Sequence, residues 1–294
     1  MLNLQSYVPK AYSLFPSAKR YNIVASSQSN FLPESVTSLP RLWYRPTLSP
    51  HHGIYVMLVI SFVTGVAASQ HWTLSTTLAL VCAFAGFQAE HPLTLQIKQR
   101  HSWKPRFLLW SSIYAGIALI AGSYLYLQTP LLLWIYLGAI ITLAIDTISV
   151  LNRQQKTYIN EFTTFAAVCL AVPFAYIATT GTWTTSIIGL WLLNTLFFSS
   201  AIFTVKLRKS KTSSLIPPVL YHLIAATIIT GLWFLGWLTA IAALSFAIAL
   251  LKITLILWQK NWYCTTPIYN VAKLETIFGL LFMSLVVISQ FLSI

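Results

Sequence analysis

Nine apolar stretches of membrane-crossing length follow one another along this chain, and the connections between them are of two alternating kinds, cation-bearing and cation-free. A helix needs roughly 20 mostly apolar residues to cross a bilayer. Inside hydrocarbon every backbone polar group must find its partner within the segment, which leaves helices as the solution for stretches of this length. The pattern therefore predicts an all-α, polytopic transmembrane helix bundle of about nine helices. Composition agrees: only 8% of the 294 residues are charged, where soluble domains carry about a quarter.

The expected spans run from Ile54 to about Ser69, then to Glu90, from about Phe107 to Leu127, and from Leu131 to Leu151. The fifth begins at Glu161 and closes at Gly181, with a kink expected at Pro173, which lacks the N–H a helix interior needs. The sixth runs to about Val205, the seventh from Pro217 to Leu235, the eighth to near Trp258, and the ninth from about Leu274 onward. Numbered alternately, the connections place all eighteen Lys and Arg on the side shared with the N-terminus. Retention of cations on the cytoplasmic side then predicts the N-terminus inside and the C-terminus outside. Lys252 lies deeper, above the end of the eighth span, and is expected to snorkel to the inner interface.

Residues 1–45 carry eight serines before Pro40, five Lys or Arg, and the single acid Glu34. This reads as a flexible basic tail rather than an organellar transit segment, with residues 46–294 forming one transmembrane helical domain. The net charge of +13 would suggest nucleic acid in a soluble chain. Here it is charge held at one membrane face, so the expected partner is the lipid bilayer, with no nucleic acid. A bacterial plasma or thylakoid-type membrane is expected, ahead of an organellar one. Cys82, Cys169 and Cys264 form no paired motif, and neither disulfides nor a cysteine zinc site are expected.

Four acids remain in the membrane part, Glu90, Asp146, Glu161 and Glu275, each within about two turns of the basic end of a different span. A charge at that depth is costly unless it faces water, a partner or the bundle interior. Glu90 continues a face of small residues through Ala79, Ala83 and Gly86, which should point at protein. Asp146 shares a face with Gly138, Thr142 and Ser149, and Glu161 with Thr164, Val168 and Ala175, while Glu275 lies one turn before Gly279. Three arrangements are open. The acids pair with cations such as Arg153, Lys156 and Lys273, or several line one cavity together with His52, His91 and His222, or the groups simply snorkel to the interface. Asn194, deep in the sixth span, is expected to make an interhelical hydrogen bond. Lys206, Arg208, Lys209 and Lys211 are candidates for holding a phosphate or anionic lipid headgroup. No metal site is expected, because no span carries two ligands at helical i, i+3 or i, i+4 spacing. No cofactor can be read from the chain.

The segments PHHGIYVML (Pro50 to Leu58), NEFTTFAAVCLAVPFAYIATTG (Asn160 to Gly181) and KLETIFGL (Lys273 to Leu280) resemble the YwiC-like family of bacterial membrane proteins, over about Pro46 to Ser289. That resemblance implies the architecture and leaves the activity open. Nine helices with functional groups at the basic side also look like UbiA-type prenyltransferases, which hold magnesium and a prenyl diphosphate on Asp-rich loops after the second and sixth helices. The corresponding loops here offer Gln88, Glu90 and His91 in one and no acid in the other, which disfavours standard prenyl transfer. The leading expectation is a protein that binds a lipid, a quinone-like molecule or another small amphiphile, or that assists a membrane complex. A prenyltransferase relative would need Glu90, Glu161 and a basic loop to converge on one cavity. A transporter would use Asp146 and Glu161 as proton or cation sites on a route reaching both faces.

Overall fold

The computed structural model describes residues 46–50, 52–99, 102–209 and 214–292. The tail at residues 1–45, His51 and Lys211 lie outside them. The described residues are helical, with no strand, and form nine helices long and apolar enough to cross a membrane. In chain order these are α1 (His52–Ser69), α2 (Leu74–Lys98), α3 (Pro105–Gln128), a 3-10 turn at Pro130–Leu132 leading into α4 (Leu133–Leu151), and the broken pair α5 (Tyr158–Cys169) and α6 (Ala171–Thr180). Then follow α7 (Thr185–Lys206), α8 (Ile216–Phe234), the second broken pair α9 (Ala240–Leu244) and α10 (Ala247–Trp258), the short α11 (Lys260–Thr265) and α12 (Ile268–Leu292).

Local chemistry sets these boundaries. Thr73 and Thr76 form a reciprocal capping box at the start of α2, and Thr157 and Thr239 accept from backbone N–H groups at the starts of α5 and α9. Gly181 ends α6 in the left-handed conformation, which a side chain would strain. The fifth span breaks at Leu170, where the expected kink falls: Pro173 has no N–H to donate to the Cys169 carbonyl one turn before it. Two expected boundaries move. Helix α2 runs through Pro92 to Lys98 instead of ending at Glu90, and α12 begins at Ile268, a turn and a half before Leu274. Glu90 is therefore inside a helix, not at its exit.

Hydrogen bonds tie successive helices into an up-and-down bundle. At one end Ser49 N–H donates to Gln88, Arg106 to the Pro46 carbonyl, Asn160 to Asp146 and Arg208 to the Thr266 carbonyl. At the other, Gln70 donates to the Gln290 carbonyl and the hydroxyls of Thr76 and Thr179 lie 2.7 Å apart. Every described Lys and Arg lies at the first end or within two turns of it. Helix α7 is the centre, with 67% of its span buried, whereas α4, at 11%, is the outer wall.

One apolar cluster surrounds α7 from α8, α10 and α12; another joins α1, α2 and α6. At Gly65 a Cβ would lie 2.2 Å from the Val172 carbonyl oxygen, so α1 meets the backbone of α6 at the turn that Pro173 breaks. Helix α3 packs along α2, yet beyond the 3-10 turn it does not pack along α4. The two diverge beyond a contact at Tyr136, whose hydroxyl reaches the Gly122 carbonyl at 2.9 Å.

Candidate functional site

Between α1, α2, α4 and the broken α5–α6 pair lies a cavity of about 320 Å³, with Ala118 of α3 at its edge. Leu58, Phe87, Ile135, Leu170 and Phe174 make most of its wall apolar. The small face predicted on α2 forms one side: Ala83, Gly86 and Glu90 all line the space, and a Cβ at Gly86 would meet nothing within 4 Å. Asp146 and Thr142 come from the predicted face of α4, and Thr164 and Val168 from that of α5. Two carboxylates from different helices thus line one chamber.

Asp146 Oδ1 accepts from the Asn160 amide at 3.0 Å. Asn160, a buried residue that also donates to the Gln155 carbonyl, was not expected to take part. Its position next to Glu161 and one turn inside the Thr157 cap is the sequence signal that could have marked it. The lateral side of the cavity is formed by Ile140 and Leu143, which are largely exposed on the outer wall.

The other two acids do not reach this chamber. Glu161 pairs with Lys206 at 2.6 Å, and that ammonium also lies 3.5 Å over the ring of Tyr158 and donates to the Lys156 carbonyl. Lys206 is buried, and its described partners lie within the bundle. Glu275 pairs with Lys252 at 2.8 Å. Lys252 does not snorkel: only 1% of it is exposed, because Ser200 and Glu275 both accept from its ammonium inside the bundle. The cations that take up these acids are thus Lys206 and Lys252, in place of Arg153, Lys156 and Lys273.

His222 is buried near this second pair, with its Nδ1 donating to the Pro218 carbonyl at 2.7 Å and its Nε2 without a partner among the described residues. His52 is exposed at the start of α1, and His91, next to Glu90, is half-buried and outside the cavity lining. Asn194 is fully buried and donates within its own helix, to the Leu190 carbonyl, rather than across helices. Arg208 donates to the Thr266 carbonyl beside the ring of Tyr263, and Lys209 is exposed. Among the described residues no three His, Cys, Asp or Glu side chains gather closely enough to hold a metal ion.

A family model described as YwiC-like protein matches residues 48–176. The matched segment begins just before α1, ends within α6, and contains every residue that lines the cavity, from Leu58 to Phe174. The Lys252–Glu275 pair and the third segment of the expected resemblance, Lys273 to Leu280, lie beyond it. No curated protein and no solved structure matches the chain.

Proposed function

We propose, taking the YwiC-like segment as the functional half of the molecule, that this membrane protein binds a lipid-like or other small amphiphilic molecule in the cavity between α1 and α6. One observation carries the reading: an apolar chamber inside a bundle of membrane-length helices, with its two carboxylates on α2 and α4 and with α3 and α4 diverging beside it. Pockets of a few hundred Å³ with an apolar wall and few polar groups are what small amphiphiles occupy. The divergence of α3 and α4 offers such a molecule a path from the bilayer without crossing a polar surface. By the distribution of cations, the basic end of the bundle faces the cytoplasm, and the carboxylates of the cavity lie toward that end.

Prenyl transfer is the less favoured reading. It would need Glu90, Glu161 and a basic loop around one diphosphate, whereas Glu161 is held by Lys206 and the acid in the chamber with Glu90 is Asp146. Transport is likewise less favoured, since Glu161 is engaged and only Asp146 of that pair faces a cavity.

The test uses Gly86, whose missing side chain leaves open space facing the cavity. Gly86→Trp should fill the chamber while leaving the helices in place. Native mass spectrometry with lipid analysis of the purified protein should find an amphiphile on the wild type that Gly86→Trp lacks. The same species on both proteins, or on neither, would remove the reading.

A further inference from the structure

The polar atoms of the cavity share one property: the hydrogens of its hydroxyls and its thiol are already spent. Tyr136 donates to the Gly122 carbonyl at 2.9 Å, Thr142 to Ala139 at 2.9 Å, Thr164 to Asn160 at 2.9 Å, and Cys82 to Ala118 at 3.3 Å. A hydroxyl or thiol has a single hydrogen, so what these groups still offer is lone pairs. Glu90 and Asp146 add carboxylate oxygens, and beside Asp146 the Asn160 Oδ1 is buried with no partner. Among the described residues of the lining there is no Lys, Arg or His. Apart from the Asn160 amide, which already donates to Asp146, the chamber therefore presents acceptor oxygens and no cation among its described lining.

That asymmetry selects the ligand. A phosphate, a carboxylate or a quinone carbonyl brings more acceptors to a site that has no hydrogen for them, and the anions among these also meet like charge. Glu90 and Asp146 are half-buried with no cation among the described residues of the lining, and a ligand that supplies both charge and hydrogens answers them. An ammonium does so with up to three N–H donors, and charge-assisted hydrogen bonds are the stronger kind.

Resting on the amphiphile reading above, we infer that the cavity takes an amphiphile with a protonated amine head and an alkyl chain. The head lies against Glu90 and Asp146, and the chain lies along Leu58, Phe87 and Phe174 or leaves between α3 and α4. Basic loops elsewhere in the protein take no part in holding it.

The experiment places the purified full-length chain in phosphatidylcholine nanodiscs and counts, by native mass spectrometry, the probe molecules it retains. Three probes share one chain and differ in the head: tetradecylamine, tetradecanol and tetradecyl phosphate. The wild type should retain the amine over the phosphate by about tenfold or more, the size of one charged hydrogen bond. Glu90→Gln combined with Asp146→Asn should lose that preference and still hold tetradecanol, and Glu90→Asp should keep it, which separates a lost head contact from a lost fold. Equal retention of the phosphate, or an amine preference that survives the double substitution, would overturn this inference and leave the amphiphile reading standing. Failure of all three probes on the wild type would overturn both.

Discussion

Lys252 and Glu275 show how a charge is tolerated at this depth. The ammonium has two partners inside the bundle, and the carboxylate also accepts from Thr204 at 3.4 Å. Removing one member of a buried pair strands the other and costs about 3–5 kcal/mol, whereas replacing both by apolar groups is often close to neutral. Lys252→Met should therefore lower the unfolding midpoint in mixed micelles sharply, and Lys252→Met with Glu275→Leu should recover most of the loss. A double variant as unstable as the single one would mean that packing, not charge, is at stake there. The same logic divides the acids by role. Glu161→Gln takes the paired carboxylate from Lys206, which keeps the Lys156 carbonyl and the Tyr158 ring, and should reduce stability. Glu90→Gln, which leaves no described cation unpaired, should leave the unfolding midpoint nearly unchanged and reduce ligand retention.

Between elements, the closest approach controls assembly. Gly65 lets α1 rest on the Val172 carbonyl, and that carbonyl is presented where Pro173 interrupts the fifth span. A methyl group at Gly65 must push two helix backbones apart, so Gly65→Ala should destabilise the protein severely. Gly116→Ala on α3, with open space around its Cβ position, should stay within about 0.5 kcal/mol of the wild type. The comparison is read from the unfolding midpoints of the two variants. Thr195, Cys169 and Ser61, buried beside the same break, include a Ser61 hydroxyl donating to the Cys169 sulfur at 3.5 Å. Polar groups of this size can settle a broken helix against its neighbour without leaving an apolar void.

For the whole molecule, the gathering of cations at one end predicts its orientation in the membrane. With the native cysteines removed, a single cysteine at Trp183, in the exposed turn between α6 and α7, should react with a membrane-impermeant maleimide added outside intact cells. One at Lys209, on the basic end, should react only after permeabilisation. Labelling in the opposite order would reverse the orientation and, with it, the face toward which the carboxylate end of the cavity opens.

What could be read along the chain was whatever depends on neighbours in sequence. Span number and order follow from apolar length and the spacing of cations, the break in the fifth span follows from Pro173, and the small face of α2 follows from the period of Ala79, Ala83, Gly86 and Glu90. That each of the four acids lies toward the basic end of its span was legible for the same reason. Which of them would be neutralised was not, because the deciding cations come from helices far along the chain: Lys206 reaches Glu161 across the bundle, and Lys252 reaches Glu275 from a helix that α11 separates from it. The cavity was equally out of reach. It exists because α3 and α4 part beyond their turn, and because the faces of α2, α4 and α5 happen to front one space. Such divergence is a property of packing angles between helices, and no periodicity within a single helix encodes it.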